Sequence, residues 1–213
     1  MAICILKSNK QLGENFILAP ERYNPGRRMN IDSEGTILMS EIVEVVNDIL
    51  TKKQAQGKSI IQINTSDAMG GYLNINSEVS DSINSNKKIL KKGDVIISRL
   101  RPYLRQVAYV DEDREEILGA STEFFVLRTR NNESIAYLVP FLLSHPVQLV
   151  FENSVEGSQY PRFKEADVLN LKIPKNIYDE RESISERVIE AVKSYRSYES
   201  TLSNEIMKMN KSM

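Results

Sequence analysis

The C-terminal stretch from Asp179 to Met213 constrains the fold most, because it contains neither glycine nor proline. Apolar and aromatic side chains recur in it at alternating steps of four and three, which is the spacing of a heptad seam. These side chains are Ile184, Val188, Ala191, Tyr195, Tyr198 and Leu202. The pattern predicts one helix of roughly 30 residues, about 45 Å long. A seam of this length is typical of a helix that packs against a partner or a second copy, although packing onto its own domain fits the same spacing.

The remainder of the chain is long enough for one globular domain. The protein has 213 residues, of which 41% are hydrophobic, so a real core is expected. We therefore predict one globular domain at residues 1–178 and a long helix, for docking a partner or a second copy, at 179–213. The predicted fold class is α+β, with a mostly β core, flanking helices and the long C-terminal helix. The formal net charge is −1, so any binding of nucleic acid must come from a local patch.

The stretch from Lys87 to Val110 is the strongest candidate for such a patch. Its apolar runs predict two strands, at Val95–Ile97 and Gln106–Val110. From Lys87 to Arg105 there are seven basic residues and one acidic residue. A rigid, arginine-rich loop between strands suits phosphates or base edges in a DNA groove. A solvated hairpin with ordinary surface charge remains the alternative. The candidate contact residues in this loop are Arg99, Arg101, Tyr103 and Arg105.

Two further loops carry side chains suited to DNA. Pro20–Arg28 has two prolines and a glycine, and its Arg27 and Arg28 are candidate phosphate contacts. The polar loop Gly157–Phe163 contributes Gln159, Tyr160 and Arg162. Glutamine can read adenine in the major groove. A surface turn with Tyr23 tucked under it explains the Pro20–Arg28 loop at least as well.

Periodicity predicts the other elements. The spacing of apolar residues favours a helix over Thr36–Lys53, although its β-branched content also fits a strand at the start. Ser121–Arg128 is expected to be a strand that pairs with Gln106–Val110 across an acidic turn. The remaining predictions are strands at Ala2–Leu6, Ile60–Ile63 and Leu171–Pro174, a helix at Lys164–Leu169, and two helices within Ser134–Glu152 that are separated at His145-Pro146.

The sequence offers no catalytic constellation. His145 and Cys4 are the single histidine and the single cysteine, which excludes a cysteine-rich zinc site and an intrachain disulfide. Gly57-Lys58-Ser59 lacks the earlier glycine of a phosphate-binding loop. The acidic run Asp111–Glu116 could hold a single magnesium ion. An enzyme with an unrecognised site is therefore a weaker alternative. No signal peptide or transmembrane run is apparent. We expect a cytoplasmic, non-catalytic binding protein without a cofactor or bound metal.

Several motifs, taken in order, resemble the target recognition domain of a type I restriction–modification specificity (S) subunit, in a half-length form. They are Arg22–Pro25, Ile60–Tyr72, Gly93–Arg105, Ala120–Arg128, Tyr137–Ser144, Gly157-Ser158-Gln159 and Leu169–Pro174 leading into the long helix. The resemblance covers nearly the whole chain.

The resemblance implies a set of partners. An S subunit usually has two recognition domains, each reading one half of a split double-stranded DNA target. It holds DNA methyltransferase subunits and, for cleavage, motor-nuclease subunits, and it is not itself catalytic. This chain has one target recognition domain, at residues 1–178, and one long helix, which matches a half-length S subunit or a fragment of a full one. A homodimer of a half-length subunit, formed through the helix, would recreate the two-domain arrangement. A module that assembles proteins through its helix without binding DNA is the alternative.

Overall fold

The computed structural model describes residues 35–75, 78–156 and 159–212. The strands are β1 (Thr36–Leu38), β2 (Val43–Val46), β3 (Ile49–Leu50), β4 (Ile60–Ile63), β5 (Ala68–Met69), β6 (Tyr72–Leu73), β7 (Val79–Ser80), β8 (Lys87–Ile89), β9 (Val95–Ser98), β10 (Val107–Tyr109), β11 (Ile117–Ser121), β12 (Phe124–Thr129) and β13 (Lys172–Pro174). The helices are α1 (Met39–Ile42), α2 (Lys52–Ala55), α3 (Leu138–Leu143), α4 (His145–Ser154), α5 (Glu165–Leu169), α6 (Lys175–Asp179) and α7 (Arg181–Ser212). The predicted strand Ala2–Leu6 and the loop with Arg27 and Arg28 lie outside the described residues.

Two sheets form the centre of the domain. One has the strand order β10-β9-β12-β2 and is antiparallel throughout. The other has the order β3-β8-β11-β4-β7, and its β11–β4 pair is parallel. Side chains from both sheets share one buried cluster, which includes Ile61 of β4, Ile96 of β9 and Val126 of β12. The two sheets therefore pack face to face around this cluster.

Helices cover the outer face of the four-stranded sheet. Alternate residues of a strand point to opposite faces. Ile96 lies between the sheets, whereas Val95 and Ile97 belong to the cluster beneath α3, α4 and α5. Stacked rings of Phe151 and Phe163, with centroids 4.4 Å apart, are part of that second cluster. The predicted buried strand at 95–97 is thus confirmed, and it is buried on both faces.

The predicted helix over Thr36–Lys53 is wrong. The segment forms β1, a single helical turn α1, then β2, β3 and the short α2. Val45 and Val46 lie opposite Leu127 and Val126 of β12 in an antiparallel register. Their β-branched side chains suit a pleated, half-buried surface, and sheet pairing overrides the helical spacing.

The predicted pairing of the strand near 121–128 is also wrong. β12 pairs with β9 on one side and β2 on the other, while β10 lies beyond β9. The acidic run after β10 leads into β11, which the sequence analysis missed and which belongs to the other sheet. At Gly119 in β11, an added Cβ would lie 3.3 Å from side-chain atoms of Ile60 and Lys87. The small residue permits this close packing between neighbouring strands.

The two helices predicted within 134–152 are present, but the break lies at Ser144 rather than at His145-Pro146, because a proline is tolerated in the first turn of a helix. α3 and α4 are separated at Ser144, which has an extended backbone (φ −62°, ψ 144°), and Pro146 lies in the first turn of α4. α5 and β13 lie where they were expected, and β13 pairs with β1. α7 spans nearly all of the predicted C-terminal helix. The predicted fold class, a mixed α+β domain with a β core and a long C-terminal helix, is confirmed.

No helix among the described residues is long and apolar enough to cross a membrane.

Candidate nucleic-acid interface

The loop between β9 and β10 has a constrained backbone. Its centre is a 3-10 turn at Pro102–Leu104, and the residues on either side, Arg101 and Arg105, have φ values of 52° and 51°. Left-handed backbone is uncommon for residues other than glycine. At the tip, Tyr103 and Leu104 are 57% and 44% exposed. The loop thus presents two arginines and two large apolar side chains from a tightly turned backbone.

The second predicted loop lies directly beside the first. The Arg101 amide donates to the Pro161 carbonyl at 3.0 Å, and the Phe163 amide donates to the Arg99 carbonyl at 3.2 Å. Leu100 and Arg162 form an isolated antiparallel bridge. We call the surface formed by Arg99–Arg105 and Gln159–Arg162 the loop surface. The sequence predicted both loops, but not that they adjoin.

A single carboxylate joins the two loops. Glu123 accepts hydrogen bonds from Arg99 Nε at 3.1 Å and from Arg162 Nε and Nη2 at 2.9 and 2.8 Å. The bond from Arg162 lowers the pKa of Glu123, and Arg99 adds to this effect against the opposing effect of burial. Arg99 and Arg162 were predicted as DNA contacts, and Glu123 was given no role. The structure gives all three a structural link, while contact with DNA stays a prediction.

Tyr160 lies close to two guanidinium groups. The guanidinium carbons of Arg101 and Arg162 are each 5.8 Å from the centroid of its ring. The ring remains 49% exposed, and the neighbouring Gln159 is also exposed. Aromatic rings flanked by arginines offer stacking faces to bases. Of the predicted contacts, Gln159, Tyr160, Arg101, Tyr103 and Arg105 therefore remain accessible on one surface.

Positive charge exceeds negative charge at the loop surface. Arg101 and Arg105 form no ion pair with any residue that the structure describes. Glu123 carries one negative charge against the two positive charges of Arg99 and Arg162. This imbalance favours an anionic ligand. Contact with phosphates and base edges stays a prediction for Arg99, Arg101, Tyr103, Arg105, Gln159, Tyr160 and Arg162.

The predicted helical seam divides into two parts. Ile184 and Val188 pack against the domain core. Ala191, Tyr195, Tyr198 and Leu202 are exposed. The face that packs on the domain is offset from the seam and includes the buried Ser185 and Val192, and the Tyr137 amide donates to Ser185 Oγ at 3.1 Å. The first half of α7 thus packs onto its own domain, as the alternative interpretation held, and the second half does not.

A charged network attaches α7 to the domain. Arg196 donates from Nε and Nη2 to Asp111 at 2.8 and 2.6 Å, and from Nη1 to the Tyr72 hydroxyl at 3.0 Å. That hydroxyl donates to Glu199 at 2.5 Å, and Arg196 also pairs with Glu112 at 2.9 Å. We call these five residues the Arg196 clamp. Asp111 and Glu112 therefore hold the helix rather than lying in a solvated turn.

Electrostatics supports this assignment. Burial disfavours the charged form of Arg196, but its hydrogen bond and Coulomb attraction to Asp111 outweigh burial and raise its pKa. Burial and the hydrogen bond to Glu199 raise the pKa of Tyr72, so its hydroxyl remains a donor.

An apolar groove lies between α7 and the domain. Its volume is about 630 Å³, and its walls include Met69, Pro140 and Leu143 from the domain and Ala191 and Tyr195 from the helix. Tyr195 also contacts the Tyr72 ring edge-on, with centroids 4.6 Å apart. The exposed part of the seam therefore begins at this groove and continues along the helix.

Within residues 35–75, 78–156 and 159–212, no group of three histidine, cysteine, aspartate or glutamate side chains is placed to hold a metal ion.

Comparisons with known proteins give a structural match. No protein-family model matches the sequence, and no curated protein sequence matches it. The fold resembles a solved structure from a type I restriction–modification (R-M) system, described for its complex assembly and conformational transition, with TM-score 0.58 and 20% identity over 80% of this chain and 45% of that one. It also resembles the HsdS subunit from Thermoanaerobacter tengcongensis, with TM-score 0.54 and 19% identity over 82% of this chain and 46% of that one.

The chain spans less than half the length of either solved chain. At these identities the likeness concerns the fold. It agrees with the fold implied by the resemblance of the sequence motifs to a target recognition domain, because one of the two solved chains is an HsdS subunit. The protein therefore has the fold of a type I R-M specificity (HsdS) subunit, over about half of such a subunit's length.

Proposed function

We propose that the protein is a sequence-specific DNA-binding specificity subunit of a type I restriction–modification system. The observation that carries the proposal is the loop surface, where two loops distant in sequence place exposed arginines and a flanked tyrosine side by side on an HsdS fold. Arginines suit phosphates and guanine edges, and the exposed Gln159 suits adenine. Arg27 and Arg28 would add phosphate contacts.

The two parts of the chain have different roles in this proposal. In the proposal, residues 1–178 read DNA and residues 179–213 join subunits. Because the chain spans about half of a full subunit, it reads one half of a split target. A second copy, joined through the exposed part of the seam, supplies the other half. Support comes from the exposed apolar side chains of α7, among them Tyr198, Leu202 and Ile206, which are 61%, 46% and 51% exposed.

The remaining activities belong to partners in this proposal. DNA methyltransferase subunits dock on the dimer and modify the target. Motor-nuclease subunits add cleavage where the system has them. The chain itself binds without catalysing and works in the cytoplasm, where the DNA is.

Salt dependence of DNA binding tests the proposal. The chain, combined with its methyltransferase partner, should bind a particular duplex with an affinity that falls steeply with salt, with a log–log slope of about −0.9 per phosphate neutralised. The binding is measured by fluorescence anisotropy on a duplex library between 50 and 200 mM salt, a range in which about 10³-fold losses are usual for six or more phosphate contacts. If the complex bound no duplex in the library in a salt-sensitive way, the proposal would be overturned.

A second candidate is an assembly module that binds protein and no DNA. The observation that favours it is the apolar groove with the adjoining exposed seam, since contiguous apolar surface marks interaction sites. The two candidates differ in one outcome of the same experiment. A complex with the methyltransferase that forms normally but shows no duplex affinity supports the assembly module.

A further inference from the structure

Lys88 is buried in an unusual place for a lysine. It lies in β8, inside the five-stranded sheet, opposite Ala120 of β11 and Ile49 of β3. Its residue surface is only 7% exposed. Lysine is almost never buried unless it is paired. Yet Lys88 makes no hydrogen bond or ion pair in the part of the chain that the structure describes, and only the ring of Phe125 and the more distant charge of Glu165 offset its own charge.

The ammonium group of Lys88 lies at the base of the loop surface. Its Nζ is 5.8 Å from the centroid of Phe125, which follows Glu123 by two residues on β12. The charged groups that act on it are Arg99, which belongs to the loop surface, and Glu165 at the start of α5. Burial lowers the pKa of Lys88, Arg99 lowers it further, and Glu165 opposes both. Glu123 and Phe125 are two residues apart in extended backbone, so their side chains point to the same face of the four-stranded sheet. Arg99 binds Glu123 and the ammonium of Lys88 lies over Phe125, so the two cations lie on that same face.

The neighbouring cation is held in a defined orientation. Arg99 Nε donates to Glu123, while its terminal nitrogens have no partner among the described residues. The Arg99 side chain is 38% exposed, so its terminal edge is accessible. A fixed guanidinium edge next to a compact ammonium is suited to the oxygens of one phosphate. An anion bound there would also offset the repulsion between the two cations and the cost of burying the lysine.

We propose that Lys88 and Arg99 together form a phosphate site that holds one phosphodiester of bound DNA at the base of the loop surface. The site rests on the proposed DNA-binding function and adds to it a contact from the sheet rather than from a loop. Because β8 is hydrogen-bonded on both sides, this phosphate would set the register of the duplex against the loops.

Lys87 provides a matched control within the same strand. It has the same 7% exposure, and burial alone lowers its pKa. Adjacent strand residues point to opposite faces of the sheet. Lys87 contacts the region of Gly119, and no charged neighbour acts on it among the described residues. Substitution of either lysine by methionine removes one charge and keeps the long apolar stem.

The test compares K88M, K87M and K88R with the wild type in the complex with methyltransferase. For K88M we expect a slope of log affinity against log salt that is less steep by about 0.9, the share of one phosphate. Duplex affinity should fall by roughly tenfold, as for loss of one charge-assisted hydrogen bond. K87M should match the wild type, and K88R should retain most of the affinity. K88M should unfold no more easily than K87M.

The outcomes separate the two proposals. If the wild type binds no duplex in a salt-sensitive way, the DNA-binding function fails. If the wild type binds but K88M and K87M give the same slope, the DNA-binding function stands and the phosphate site is overturned. Inorganic phosphate at constant ionic strength separates a DNA phosphate from free phosphate. If the site holds the DNA backbone, free phosphate should compete, so duplex affinity should fall more for the wild type than for K88M. Free phosphate that raises the thermal stability of the wild type but not of K88M, with a duplex salt slope that K88M leaves unchanged, would assign the site to free phosphate and overturn the DNA contact.

Discussion

The Arg196 clamp and the loop surface both gather arginines, but they balance charge in opposite ways. In the clamp, one arginine meets two carboxylates, Asp111 and Glu112, and a tyrosine hydroxyl. At the loop surface, one carboxylate meets two arginines, and Arg101 and Arg105 form no ion pair within the described residues. The excess of acceptors in the clamp fixes a helix in place. The excess of donors at the loop surface is available to a ligand.

The difference separates the arginines whose charge is fully paired within the fold from those whose charge is available to a ligand. The Arg196 and Asp111 side chains are 20% and 11% exposed, so removal of one leaves the other desolvated without a partner. The Arg99 and Arg162 side chains are each 38% exposed. Four variants test the comparison, in order of decreasing loss of folding stability.

R196A should destabilise most. Asp111 would remain buried without its partner, and the free energy of unfolding should fall by about 3 kcal/mol. Urea unfolding monitored by circular dichroism measures the change. The control is R187A, because Arg187 is exposed on the same helix and bonds only to Ser183 among the described residues. Equal unfolding of the two variants would show that the clamp contributes little.

E123Q should cost less, about 1 kcal/mol, because its partners are more exposed. The effect should depend on pH. The folded-state pKa of Glu123 lies below its ordinary value of 4.5, so its stabilisation is complete above about pH 4.5 and is lost as the pH falls through the folded-state pKa. Urea unfolding from pH 7 to pH 3 should therefore show a smaller loss of stability for E123Q than for the wild type. Parallel pH profiles would contradict the assigned role of Glu123.

The double variant R101A/R105A should change the free energy of unfolding by no more than about 0.5 kcal/mol, because neither side chain has a charged partner in the described structure. Duplex affinity should instead fall by at least roughly tenfold, with a smaller salt slope. Fluorescence anisotropy and thermal unfolding are measured on the same samples. R187A with K193A removes the same charge from exposed positions of α7 and should leave affinity unchanged. A large loss of stability in R101A/R105A would make these arginines structural.

The double variant L202D/I206D should leave the free energy of unfolding of the domain unchanged, since both side chains lie beyond the clamp and are about half exposed, at 46% and 51%. The expected effect is on assembly, with the mass from light scattering falling to that of a monomer. S197D with N204D places the same charges on the opposite face of the helix and should keep the dimer. An unchanged mass in L202D/I206D would exclude this part of α7 as the dimer interface.

Sequence patterns predicted correctly those elements whose structure depends mainly on residues close to them in the sequence. The strands at 60–63 and 95–97, the break before Pro146 and the helix α7 all follow from periodicity or from a helix-breaking residue. The segment 36–53 failed because its valines pair with β12, far along the chain, and pairing overrides spacing. β11 was missed because Gly119 and Ala120 carry too little side chain to signal a strand.

The candidate site was predictable in its parts and not in its arrangement. Arginines next to a proline identified one loop, and polar residues around Tyr160 identified the other. The link between them depends on Glu123, whose position between Arg99 and Arg162 arises from strand pairing. Lys88 was visible in the sequence only as part of a basic run. Its burial and lack of a partner become evident from the sheet.

The Arg196 clamp holds α7 against the domain at one point, and the helix continues beyond that point. Beyond Glu199, the segment 200–212 is exposed and helical. It extends about 20 Å from the clamp at about 1.5 Å per residue, so a tilt of the helix by about 10° at the clamp would displace Ser212 by about 3.5 Å. That displacement is close to the rise of one base pair, about 3.4 Å. In the dimer that we propose, joined along this segment, the five side chains of the clamp would therefore set the distance between the two loop surfaces.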